Sequence, residues 1–202
     1  MLDHLVYCVP DLEEATERFS LLGLSPSVGG RHPDRGTHNC LLRLGPRSYL
    51  ELLAPDPAAT VAPPRWMGID LLNGPTVSRW AVNAGADIIT KAKLLGKDTR
   101  IQTGERRLPN GDTLRWRLTD PGTHPAVSVL PFLIDWGGAQ AVHPTDALPD
   151  VGLRLTELRL YHPTPESLTP LLAALATDAV AVSAPVERIE ITLRGPAGEF
   201  RL

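Results

Sequence analysis

The side chains most able to bind a ligand or move a proton are concentrated in one short stretch. Residues 29–39 read Gly29-Gly30-Arg31-His32-Pro33-Asp34-Arg35-Gly36-Thr37-His38-Asn39. Imidazole titrates near neutrality, so His32 and His38 are each candidates for a catalytic general base. Arg31 and Arg35 have the planar fork that holds a carboxylate or phosphate through paired contacts. Thr37 and Asn39 add polar groups that could orient a ligand. The plainer alternatives are hydrogen bonds that shape a loop, for the histidines, and surface ion pairs, for the arginines. Glycines at 29, 30 and 36 permit backbone shapes that other residues resist, and Pro33 fixes one torsion. Asp135, Trp136 and His143 flank a second irregular segment and are candidates for a pocket wall or lid.

These residues must be positioned by the runs around them. Leu5, Tyr7 and Val9 alternate with His4, Val6 and Cys8, the pattern of a strand over Leu2–Val9. Asp11 is a plausible N-cap, and Leu12, Ala15, Phe19 and Leu22 form a helical stripe that Gly23 ends. Strands are expected over 24–28, 37–44 and 48–53, which makes residues 2–55 a β-α-β-β-β unit. A second unit is expected over 77–136: a strand to Asn83, a helix over 85–95, a hairpin turning at Asn110-Gly111, and a strand over 127–135. A third is expected over 153–202, with a helix over 165–176. Leu2–Asp11 and Leu155–Thr164 match in apolar pattern, which predicts that the first and third units share one architecture. In this reading all 202 residues form a single α+β domain.

Composition narrows the function classes. Hydrophobic residues make up 43% and charged residues 21%, ordinary values for a globular protein. The net charge of -3 gives no basic footprint for nucleic acid. No apolar run approaches the roughly 18 residues of a membrane span. The start at Met1-Leu2-Asp3-His4 shows no signal peptide, so a cytoplasmic protein without nucleic-acid or membrane partners is expected. The 2 cysteines, Cys8 and Cys40, suit buried free thiols and are too few for a cysteine zinc site. Dinucleotide-binding, phosphate-loop and nucleophile-elbow motifs do not occur.

Several pieces together resemble a known family: Asp3-His4-Leu5-Val6-Tyr7, Gly30-Arg31-His32-Pro33, Gly36-Thr37-His38-Asn39, Tyr49-Leu50-Glu51-Leu52, Pro131-Phe132-Leu133-Ile134-Asp135-Trp136 and His143-Pro144. They are similar to the glyoxalase-like domain family of the vicinal-oxygen-chelate superfamily, which includes glyoxalase I, extradiol dioxygenases and bleomycin-resistance proteins. The resemblance implies repeated βαβββ modules whose strands curl into a cup. It implies a lyase, isomerase or dioxygenase acting on an oxygen-bearing small molecule, or alternatively a non-catalytic small-molecule binder of the bleomycin-resistance type. A homodimer is among the assemblies it allows. It also implies metal ligands from the first and last strands of the modules. By position these fall on His4, Glu51 and Glu157, with a last ligand near Glu190 or Thr192. Such a set would suit one divalent zinc, manganese, iron or nickel ion. Alternatively Glu51 pairs with Arg31, Arg35 or Arg43, and His4 is a satisfied core histidine.

Overall fold

The computed structural model describes residues 1–96, 99–107, 111–138 and 140–202. The first alternating run is a strand, β1 (Leu2–Cys8). Helix α1 (Leu12–Leu21) follows, capped by the Asp11 carboxylate, which accepts from the Glu14 amide at 2.9 Å. Next come β2 (Ser27–His32), β3 (Thr37–Gly45) and β4 (Ser48–Pro55). The second unit is β5 (Thr76–Asn83), a short α2 (Ile88–Ala92), β6 (Ile101–Arg107), β7 (Thr113–Thr119) and β8 (Phe132–Asp135). The strand expected over 127–135 thus begins only at Phe132, after Pro131, which has no N–H to give to a ladder. The turn expected at Asn110-Gly111 rests on Asn110, which lies outside the described residues.

These eight strands form one sheet in the order β2-β3-β4-β1-β5-β8-β7-β6, curled into a half-barrel. Each half repeats the same rule. The first strand pairs in parallel with the last of its own unit, β1 with β4 and β5 with β8. The halves join through antiparallel β1 and β5. The central strands are buried on both faces. Leu5, Tyr7, Leu50, Leu52, Trp80 and Leu133 pack on the convex side with Phe19 of α1. Val6, Cys8, Leu53, Ala81, Phe132 and Ile134 form a second cluster on the other side.

The third segment follows a different rule. Strands β9 (Arg154–His162), β10 (Val180–Ser183), β11 (Arg188–Gly195) and β12 (Gly198–Arg201), with α3 (Thr169–Ala174), make a separate sheet in the order β10-β9-β11-β12. Here the first strand is parallel to the next one, β10, and antiparallel to β11. The first unit pairs β1 with its last strand instead, so the expected common architecture of units one and three is not found. Leu158, Leu160, Ile189, Ile191 and Leu193 join the convex-side core. The third segment therefore covers the back of the half-barrel.

Candidate functional site in the cup

The concave face encloses a cavity of about 560 Å³, within the range of small-molecule sites. Strand parity decides what it contains. On β1 the convex face takes Leu5 and Tyr7, leaving His4 to the cup. On β4 Leu50 and Leu52 face the helix, while Tyr49 and Glu51 line the cavity. On β3 Cys40 and Leu42 face the helix, while Asn39 and Leu41 line the cavity. From the second unit, β6 brings Gln102, Gly104 and Arg106, β7 brings Leu114, Trp116 and Leu118, and β8 brings Phe132 and Ile134.

The polar centre is a connected chain. The Asp3 carboxylate is fully buried and accepts from His4 Nδ1 at 2.7 Å, Trp136 Nε1 at 2.9 Å, Asn83 Nδ2 at 3.2 Å and His143 Nε2 at 3.4 Å. Burial alone would raise its pKa. The hydrogen bonds from His143 and His4 overcome that and hold the carboxyl below its ordinary range. An ionised carboxylate only accepts, so His4 Nδ1 carries a proton, and in the neutral ring the lone pair is on Nε2. That Nε2 lies 3.9 Å from Glu51 Oε2. The ring is fixed by stacking on Tyr49, with centroids 4.6 Å apart, and by the edge of Phe132. Glu51 Oε1 accepts from Asn39 Nδ2 at 2.5 Å, and Asn39 Oδ1 accepts from the Gly30 amide at 2.7 Å. Glycine at 29 is required, because a Cβ there would overlap the Asn39 amide.

The stretch at 29–39 is the end of a hairpin rather than a free loop. Gly30 to His32 lie in β2, paired with Thr37 to Asn39 of β3 across a 3-10 turn at Pro33–Arg35. Its Arg31, His32, Arg35 and Asn39 line the cavity. His32 is held below its ordinary pKa by burial, with Arg106, Arg35 and His38 acting in the same direction against Glu51. Its Nδ1 lies 3.1 Å from Thr37 Oγ1, and Thr37 is buried behind it. His38 does not line the cavity. It shares a face with Cys40 and Leu42, and that is the helix-covered face, away from the cup where a general base would act. Both arginines of the stretch are engaged by the protein. Arg31 makes a paired contact with Asp56 at 2.7 and 2.5 Å, and Arg35 bonds Gln102, approaches Asp120 at 3.6 Å and stacks over Trp66.

Trp136 is the pocket wall expected of it. Asp135 and His143 lie outside the cavity. Asp135 binds Arg117 at 2.5 Å, and His143 sits behind Trp136 and Tyr49 while bonding Asp3 and Thr145. Trp80 is a core residue, whereas Trp66 and Trp116 line the cavity. Sequence reading did not single out Asp3 as a site residue, although a carboxylate at the start of a strand buried on both faces is a usable signal. It also passed over Arg106.

The expected metal set is not assembled. His4 and Glu51 converge, but Glu157 lies in the second sheet, paired with Arg159 at 2.8 Å. Glu190 and Thr192 lie on β11 of that sheet, Glu190 beside Arg188 and Thr192 in the register opposite Glu157. In the second half of the cup, β5 and β8 present Ala81, Phe132 and Ile134 where the first half has His4 and Glu51. Among the described residues no group of three or more His, Cys, Asp or Glu converges to hold a metal ion. Two donors do not fit a protein-ligated divalent centre, which takes three or four. Glu51 is satisfied by Asn39 and not by Arg31, Arg35 or Arg43. Arg43 instead donates to the Gly45 and Leu148 carbonyls.

The glyoxalase-like domain family matches residues 2–176, most of the chain and the whole of the cup. The chain belongs to the glyoxalase-like domain family. No curated protein sequence matches the chain. Among solved structures, this glyoxalase-like protein is similar to a hypothetical protein from Staphylococcus aureus, with a TM-score of 0.65 and 12% identity over 93% of this chain and 87% of that one. It is also similar to a variant of methylmalonyl-CoA epimerase from Streptomyces coelicolor in complex with 2-nitronate-propionyl-CoA, with a TM-score of 0.46 and 21% identity over 71% of this chain and 96% of that one. Methylmalonyl-CoA epimerase from Mycobacterium tuberculosis matches with a TM-score of 0.44 and 21% identity over 68% and 87% of the two chains. Within the described residues, no helix is long and apolar enough to cross a membrane.

Proposed function

We propose that this glyoxalase-like protein is a small-molecule enzyme that moves a proton on an oxygen-bearing substrate, as an isomerase or lyase does. The observation that carries this is the Asp3–His4 pair. Asp3 holds the imidazole so that a basic Nε2 faces the cup, 3.9 Å from Glu51 Oε2. This is the geometry of a base oriented by a third group. His4 Nε2 takes a proton from a carbon next to a substrate carbonyl, and the C–H electron pair passes into the enolate. The imidazolium formed is stabilised by Asp3 on one side and Glu51 on the other. Return of the proton to the same or a neighbouring carbon gives isomerisation, and departure of a leaving group gives elimination. Two protein donors favour this acid–base chemistry over the dioxygenase alternative.

The test uses 2-oxo acids of roughly three to six carbons, a length range the cavity accommodates. Proton NMR in D2O follows loss of the signal at the carbon beside the carbonyl. The wild-type protein is expected to speed exchange, and His4→Ala to lower that rate by about 10²–10⁴-fold. Absence of any His4-dependent exchange across the series would sink the proposal. The binding-protein alternative draws on the aromatic walls from Tyr49, Trp66, Trp116, Phe132 and Trp136. Saturable binding without exchange would favour it.

A further inference from the structure

The cationic groups facing the cup are unequal. Arg31 is committed to Asp56, and Arg35 to Gln102, Asp120 and the face of Trp66. Arg106 of β6 also lines the cavity, yet no described carboxylate lies within ion-pair distance of it. Its charge still reaches the polar centre, where it works to lower the pKa values of both His32 and Tyr49. Its position is built into the fold. Arg106 alternates with Gln102 and Gly104 along the cup-facing side of β6, and Gly104 leaves room for the Trp116 ring opposite. From the far wall the guanidinium packs over the backbone of Gly30, where any Cβ would collide with it. Gly30 in turn bonds Asn39, the residue that holds Glu51.

We propose that the cup selects small carboxylic acids and that Arg106 is the residue that holds the substrate carboxylate. This deepens the proton-transfer reading of the same cavity and rests on it. A guanidinium with no ion-pair partner among the described residues, at the wall of a cavity of mixed polar and apolar surface, presents the planar fork that a carboxylate fills. Among the described residues Arg106 is the cavity arginine left without an ion pair, and a single such cation matches one negative charge. A phosphate dianion would carry an excess charge into a space that already holds the Glu51 carboxylate. An acid group held by Arg106 lies beside Gly30, opposite Asn39 in the strand register, on the same unit as His4 and Glu51.

Titration calorimetry with 2-oxo acids of roughly three to six carbons and their methyl esters tests this, because the two differ at the charged group. The wild-type protein is expected to bind the acids about ten- to a hundredfold more tightly than the esters, the range of a charge-assisted hydrogen-bonded contact. Arg106→Gln should abolish that preference, and inorganic phosphate should compete weakly. Gly30→Ala, checked for folding by circular dichroism, should also reduce it by displacing the guanidinium. His4→Ala should keep the preference while losing deuterium exchange. Preference retained in Arg106→Gln, esters binding as tightly as acids, phosphate competing as well as the acids, or no binding by any acid would each overturn the proposal. Exchange that depends on His4 without acid preference leaves the proton-transfer reading standing alone. Acid preference without exchange does the reverse.

Discussion

Replacing Asp3 by Asn tests the centre of the site through stability. The carboxylate accepts from four donors, with Oδ1 facing His4 and Oδ2 facing Trp136, Asn83 and His143. An amide of the same shape has one acceptor oxygen. Whichever way it turns, its NH2 confronts at least one buried N–H. Losing one charged hydrogen bond and orphaning its donor costs about 2–3 kcal/mol. For a protein of this size that corresponds to a fall in melting temperature of about 4–12 °C. The cost depends on pH with a definite sign. The folded Asp3 carboxyl lies below its ordinary range, and the unfolded one titrates near about 3.9. Its contribution is therefore present in full above that value and is lost as pH falls towards the folded pKa. Urea unfolding followed by tryptophan fluorescence at pH 7, 5, 4 and 3 should show wild type and Asp3→Asn converging at the acid end. A gap that stays constant from pH 7 to pH 3 would refute the argument that an ionised Asp3 anchors these donors.

Two further outcomes follow from strand parity and burial. His38→Ala is expected to leave binding of 2-oxo acids unchanged and to cost less than about 1 kcal/mol, since the side chain lies on the helix face and only half-buried; weakened binding in calorimetry would return His38 to the site. Burial pushes the Cys8 thiol up to about 12 beside Ser78 and raises Cys40 as well, so a thiol reagent at pH 8 should modify neither in the native protein and both in urea. Labelling of the native protein would show that these strands open more readily than their burial implies.

The alternation of polar and apolar residues in β1, β3 and β4 was legible from the sequence, and the structure keeps those pairings of neighbours. Which face is concave was not legible. These strands are buried on both sides, so hydrophobicity does not label the helix side, and the docking of α1 decides it. That is why the sequence offers His38 as a candidate base beside His32 without showing that the two lie on opposite faces. Arg106 was hidden for a different reason. β6 reads as an ordinary polar edge strand, and Arg106 becomes a site residue only because the second half folds opposite the first. The third segment misled through its own likeness. Leu155–Thr164 repeats the strand-then-helix pattern of Leu2–Asp11, but the pattern within a strand does not encode which neighbour it pairs with.

The two halves of the half-barrel follow one pairing rule yet carry different side chains. Were the halves chemically alike, a ligand could enter the cup in either of two equivalent orientations. Here His4 and Glu51 stand on one half, while the other offers Ala81, Phe132 and Ile134, and sends the Arg106 guanidinium across to Gly30 of the first. The cup therefore has a handed interior. If the proposed proton transfer is the reaction, a molecule seated across the cup would show one face to His4 and the other to the aromatic wall, and its stereochemical outcome would follow from the difference between the two halves.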